Sequence, residues 1–179
     1  MTKSDYIVTF TMITDEEYKK KRDLLFKDLC PRLHFGVRGT VPVLITLKDY
    51  DINGFHEEKE IDTDVELDSI DVSTNEIRVT ALNEGIYQTV DEQQDVQPWE
   101  ITEFKPYLRS WSKMTEDEKK EYRKLCSNCL EQDIVDYNIS TLDDSQLIFV
   151  IEFLYSHHID FRGLIERGLA LEALENIYN

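Results

Sequence analysis

The chain has 179 residues and a formal net charge of −17, from 37 acids against 20 bases, with 41% hydrophobic and 11% aromatic residues. That length and apolar fraction suffice to bury one sizeable core, and no apolar run approaches the roughly 18 residues of a membrane span. A surface this negative repels phosphate backbones and anionic lipid, so direct nucleic-acid binding and membrane binding are both disfavoured.

The N-terminus carries one early base, Lys3, then a mixed β-like segment and acids, which is not the pattern of a secretory signal. With three cysteines, the expectation is a cytoplasmic protein with reduced thiols. Residues 6–13 alternate weakly and read as a short strand. Thr14 with Glu17 three residues on has capping-box spacing, opening a helix that carries Tyr18, Leu25, Phe26 and Leu29 until Pro31 stops it. Residues 41–47 are rich in β-branched side chains, with Pro42 placing that strand at an edge or near its start. Asn53-Gly54 is the strongest hairpin-turn dipeptide in the chain.

Residues 60–68 alternate strictly. Ile61, Thr63, Val65 and Leu67 face one way, and Glu60, Asp62, Asp64, Glu66 and Asp68 the other. At Ile70 and Val72 the phase slips by one, which predicts a bulge or a turn. Further strands are expected at 76–82, 85–90 and 99–104. Strands this short and closely spaced imply a small barrel or a strongly bent antiparallel sheet.

Pro106 is expected to end a strand or loop, and Thr115 with Glu118 opens a second capped helix at Glu116. Tyr122, Leu125, Cys126, Cys129 and Leu130 form its apolar stripe. Ser140 and Thr141, with Asp144, cap a third helix through 147–155, apolar nearly all round and therefore expected to be buried. His157 and His158 close it, Asp160 begins a break, and Phe161, Arg162 and Gly163 lead into a short last helix interrupted at Gly168. The expected fold class is α+β, a single domain over residues 1–179. Its acidic half, residues 1–104, holds an N-terminal helix and the sheet or barrel; residues 105–179 form a C-terminal helical annex.

Four groups of residues invite a chemical reading. Asp49, Asp51, Asn53 and Gly54 with Glu60 fit the calcium-loop pattern D-x-[DN]-x-[DN]-G-x5-E, but the flanks read as strands rather than helices. A calcium-binding module there is one alternative, and a plain hairpin turn explains the same residues. Cys126 and Cys129 have the C-x2-C spacing of zinc or redox sites, with His157 and His158 available to complete a set; both cysteines also lie on the helix stripe, where cysteine packs as a small hydrophobe. His157, His158, Asp160 and Arg162 offer a pocket for a small hydrolase or metal-dependent enzyme, although histidines at a helix end more often satisfy its carbonyls. The chain has no G-x-S-x-G, Walker loop, G-x-G-x-x-G or H-E-x-x-H. Finally, the carboxylates of residues 60–68 recur every 6.6–6.8 Å or so along one strand side, broadly the pitch of nucleic-acid phosphates. That face is either a solvated surface, a site for a basic partner, or a nucleic-acid mimic.

Asp28-Leu-Cys-Pro-Arg-Leu-His-Phe-Gly-Val37, Lys105-Pro-Tyr-Leu-Arg109, Ser112-Lys-Met-Thr-Glu-Asp-Glu118 and Asp160-Phe-Arg-Gly-Leu-Ile165 with Gly168-Leu-Ala-Leu-Glu-Ala173 stand in order along the chain. Together they resemble the pattern DLCARLPYGV, KPYLRPMSSMTEEE and DYRGLIPMGLALEAPEGMY of small uncharacterised proteins from gut Bacteroidales and their phages and prophages. The resemblance covers the two ends and residues 105–118, departs in the acidic middle, and loses the family's proline after Ala173. It implies a phage or mobile-element setting and no particular chemistry. Physically, Tyr107, Leu108 and Phe161 suit anchors for the annex, and Arg109 and Arg162 suit bidentate binding of carbonyls or carboxylates. The alternative is that Tyr107, Arg109, Phe161 and Arg162 form an exposed recognition surface. The favoured reading is a non-enzymatic accessory protein, without a cofactor, that acts through contact with a protein partner bearing a basic surface.

Overall fold

The computed structural model describes residues 14–47, 57–82, 99–126, 142, 144–174 and 177–178. The strands expected at 6–13 and 85–90, the Asn53-Gly54 turn, Cys129, Leu130 and the cap at Ser140 and Thr141 lie outside those residues. The fold is α+β, with helices α1 (Asp15–Arg32), α2 (Glu116–Leu125) and α3 (Asp144–Ser156) around a six-stranded sheet.

Helix α1 begins on the expected capping box. The Glu17 N–H donates to the Thr14 hydroxyl at 3.3 Å, and the Thr14 N–H donates to the Glu17 carboxylate at 3.1 Å. Pro31 does not stop the helix; it sits inside the last turn. A proline there removes the N–H that would bond the Lys27 carbonyl. The Tyr155 hydroxyl donates to that carbonyl instead, at 3.4 Å. The helix ends one residue later, at Arg32, and runs into a 3-10 turn at Leu33–Phe35 followed by Gly36 at φ 72°, a left-handed position natural to glycine.

Strands β1 (Arg38–Leu47), β2 (Glu57–Asp71), β3 (Glu76–Ala81), β4 (Trp99–Glu100), β5 (Lys105–Leu108) and β6 (Leu171–Glu172) lie in the order β4-β3-β2-β1-β5-β6. The sheet is strongly bent but open rather than a barrel, and mixed rather than wholly antiparallel, because β5 and β6 run parallel. The bend can be read from one contact. Trp99 in β4 donates its indole N–H to the Pro42 carbonyl in β1 at 3.2 Å, although those strands are three positions apart, about 14 Å in a flat sheet. Pro42 lies inside β1, opposite Asp62; the pairing of β5 with β1 covers Gly39 and Thr40 and stops short of it. Pro106 likewise lies within β5 instead of ending a strand. The expected phase slip in β2 is a bulge, with the register shifting between Leu67 and Ser69.

At Gly39, β1 and β5 approach closely. A Cβ at that position would collide with the Lys105 carbonyl and come within 2.7 Å of the Phe104 ring. The alternation of β2 follows its pattern: Thr63, Val65 and Leu67 are buried and Ile61 half-buried, with Val65 and Leu67 packing among Val41, Ile77 and Val79. Leu25 and Leu29 of α1 and Phe104 close the same core, each burial being worth about 1.5–3 kcal/mol of transfer free energy.

A second cluster joins α2 and α3 through Met114, Tyr122, Cys126, Val150, Phe153, Leu154 and Ile159. The box at Thr115 and Glu118 caps α2 as expected. Helix α3 is not buried all round, since Ile148 is 64% exposed and Phe149 58%. The last helix expected after Gly163 is absent among the described residues. In its place the Asp160 carboxylate accepts the N–H groups of Leu164 and Ile165, each at 2.8 Å, and turns at Gly163 and Gly168, with φ of 69° and 67°, deliver the chain to β6. No described helix is long and apolar enough to cross a membrane.

Candidate functional site

Strand β2 turns its carboxylates away from the core. Glu60, Asp62 and Asp68 are exposed, while Asp64 and Glu66 are partly covered. The five are not equivalent. Asp64 accepts the Tyr107 hydroxyl at 2.6 Å; burial and that negative partner push the phenol up to about 12. Glu66 faces Arg38 across the strand pair at 3.6 Å, a half-exposed contact worth no more than about 1 kcal/mol. Asp68 sits at the bulge and accepts the Thr80 hydroxyl at 2.8 Å. The middle of the row therefore serves the fold, and its ends face solvent.

Residues of the four motifs converge elsewhere, where α1, β5 and the end of α3 meet. Asp28 and Arg32 are both fully buried. Arg32 Nε donates to Asp28 Oδ2 at 2.8 Å, and Nη2 donates to Oδ1 at 3.2 Å and to the Ile159 carbonyl at 2.8 Å. The Arg32 guanidinium also lies over the Tyr155 ring, 4.8 Å from its centroid. Arg162 adds a second cation 3.4 Å from Asp28, stacks over Phe161 at 5.0 Å and donates to the Tyr155 hydroxyl at 2.9 Å. Burial holds the Asp28 carboxyl above the usual carboxylate range even though both arginines favour its charged form.

Arg109 ties the sheet to the annex. Its guanidinium grips Glu118 with two bonds, 2.6 and 2.9 Å, and donates to the Lys113 carbonyl at 2.9 Å. The Arg109 bond is the main reason Glu118 falls to about 2. The Arg109 main chain also bonds the His158 carbonyl and the Asp160 N–H, both at 2.8 Å.

Tyr178 links this joint to the strand face. Its hydroxyl donates to the Tyr107 carbonyl at 2.6 Å and accepts the Arg38 N–H at 3.4 Å, and its ring stacks on His158 at 3.5 Å with 7° between planes. His158 is 4% exposed and left-handed, at φ 54°. Burial, then the Arg32 and Arg109 charges, lower it to about 3, so the ring is neutral. The imidazole hydrogen-bonds the Phe35 backbone, while Nδ1 has no hydrogen-bond partner among the described residues.

The group His157, His158, Asp160 and Arg162, compact in sequence, does not share a target. His157 Nδ1 bonds the Phe153 carbonyl at 2.9 Å, His158 stacks on Tyr178, Asp160 caps backbone N–H groups, and Arg162 faces Asp28. Chemically, the arrangement reverses and fastens the chain. Tyr107, Arg109, Phe161 and Arg162, placed together by motif, divide between the strand face and the joint, and each has a partner inside the molecule. Of the calcium-like loop, Asp49 to Gly54 lie outside the described residues; Glu60 stands exposed in β2, and the flanks are strands. Cys126 packs in the α2–α3 cluster. Among the described residues no group of three or more histidine, cysteine or acidic side chains is placed to hold a metal ion.

Sequence reasoning missed the Asp28–Arg32 pair, Tyr155 and Tyr178. The first carries a signal, opposite charges four residues apart on a helix. Tyr178 carries none, because its contacts with Tyr107 and Arg38 span 71 and 140 residues of chain. No protein-family model, curated protein or solved structure matches this chain.

Proposed function

We propose that this chain is a non-enzymatic, phage- or prophage-associated accessory protein that acts by binding a protein partner with a basic surface. The observation that carries the reading is the outward row on β2, where Glu60, Asp62 and Asp68 stand exposed beside a core filled by Thr63, Val65 and Leu67. On a molecule of net charge −17, such a face steers a basic partner and repels acidic ones. The phage setting rests on the resemblance of the four motifs. The groups that offered catalysis, His157 to Arg162, are engaged in fastening the chain, which supports contact over chemistry.

Recognition of a protein surface is favoured over mimicry of a nucleic-acid strand. A mimic needs an even ladder of charges, whereas Asp64 is tied to Tyr107 and Asp68 is displaced on a bulge. The test is capture from a gut Bacteroidales lysate by the wild-type chain and by the Glu60→Lys, Asp62→Lys, Asp68→Lys variant. A specific basic protein retained near 50 mM salt, lost near 500 mM and lost by the variant supports the reading, as expected for a contact screened over a Debye length of about 4–14 Å. Equal retention by both chains, or retention indifferent to salt, contradicts it.

A further inference from the structure

We propose that the outward face of α3 seats an amphipathic helix with basic flanks, contributed by the same basic partner. From Leu147 to Tyr155 helix α3 carries a single polar residue, Glu152, so its apolar surface exceeds one face. The fold covers one side of it with Val150, Phe153 and Leu154, and buries Tyr155 in its last turn; the stretch before that turn is left open on the other side. At about 100° per residue, Asp144, Ile148, Glu152 and Phe149 fall within an arc of about 140° on the opposite side, and all four are exposed. Ile148 and Phe149 are the most open large apolar side chains on the described helices, and adjacent in sequence they offer two apolar anchor points at the surface.

The chemistry of the occupant follows from what flanks that patch. Asp144 lies one turn before Ile148 and Glu152 one turn after it, so apolar anchors meet two carboxylates spaced along the helix axis. A helix laying leucine-like anchors against Ile148 and Phe149, with lysine or arginine reaching Asp144 and Glu152, satisfies both features at once. A second copy of this chain brings its own −17 and like charges to the same patch, and an anionic membrane is repelled as well. The inference rests on the proposed basic partner but concerns a separate surface, so the two can fail separately.

The probe is a labelled leucine–lysine amphipathic peptide of about 18 residues, long enough to be helical when docked. Its binding to the full chain is followed by fluorescence anisotropy, beside a leucine–glutamate peptide and a leucine-free lysine peptide. The expected result is binding of the leucine–lysine peptide alone, weakened at least about tenfold by Ile148→Ser with Phe149→Ser and changed less than about threefold by Glu60→Lys with Asp62→Lys. The serine variant replaces exposed residues, and its circular dichroism and melting temperature verify an intact fold. Equal binding of the leucine-free peptide, equal affinity for the serine variant, or no binding overturns the inference and leaves the β2 reading standing. Self-association or vesicle binding of the wild-type chain that the serine variant abolishes also overturns it, assigning the patch to another occupant.

Discussion

Acidification from pH 7 to pH 4.5 is expected to cost the native state about 2–3 kcal/mol through His158 alone. In the unfolded chain the imidazole takes up its proton near an ordinary 6.5; in the folded chain burial and the Arg32 and Arg109 charges delay that to about 3. Between those values the unfolded state binds the extra proton, so stability falls as pH falls, beginning near 6.5 and levelling off only near 3. Asp28, held above the carboxylate range by burial, acts in the opposite sense, and Glu118, held near 2, adds its own loss below about 4.5. The His158 share is isolated by His158→Asn, since asparagine tolerates the left-handed backbone at φ 54° and does not titrate. Urea unfolding at pH 7, 6, 5 and 4.5 reads the slope in both chains. The wild type should lose about 2–3 kcal/mol more than the variant across that range. Parallel slopes would refute the claim that a buried, neutral imidazole stacked on Tyr178 underlies the joint.

Removing one member of the buried pair, by Arg32→Met or Asp28→Leu, should cost about 3–5 kcal/mol, while the double variant should cost clearly less than the sum; a thermal double-mutant cycle measures the coupling. Arg109→Lys keeps the charge but loses the paired bonds to Glu118, with an expected loss of about 1–2 kcal/mol in urea unfolding. Gly39→Ala places a methyl against Phe104 and the Lys105 carbonyl, and should lower stability by about 1–3 kcal/mol, seen as a drop in melting temperature.

Local signals in the sequence proved reliable where the physics is local. Capping boxes at Thr14 and Thr115 involve residues three apart, and the alternation of β2 follows from one residue pointing in as the next points out. The failures involve remote compensation. Pro31 could remain helical because Tyr155, from distant chain, supplies a hydrogen bond that proline cannot. The turn after Asp160 could replace a helix because its carboxylate caps the free N–H groups of Leu164 and Ile165. The parallel pairing of β5 with β6 joins Tyr107 to Leu171, a register set by tertiary packing alone. In the candidate site, the outward direction of Glu60, Asp62 and Asp68 is legible from period two. That Asp64 and Glu66 are engaged by Tyr107 and Arg38 is not, since both partners come from other strands.

The most direct test of the contact reading is a hydrogen-exchange footprint of the chain with and without the basic protein it captures. Slowed exchange in residues 60–68, alone or together with residues 144–152, and little change around residues 157–165, is the outcome the account predicts. Protection centred on the joint, with β2 unchanged, would contradict it and return the search for function to His158 and Arg162.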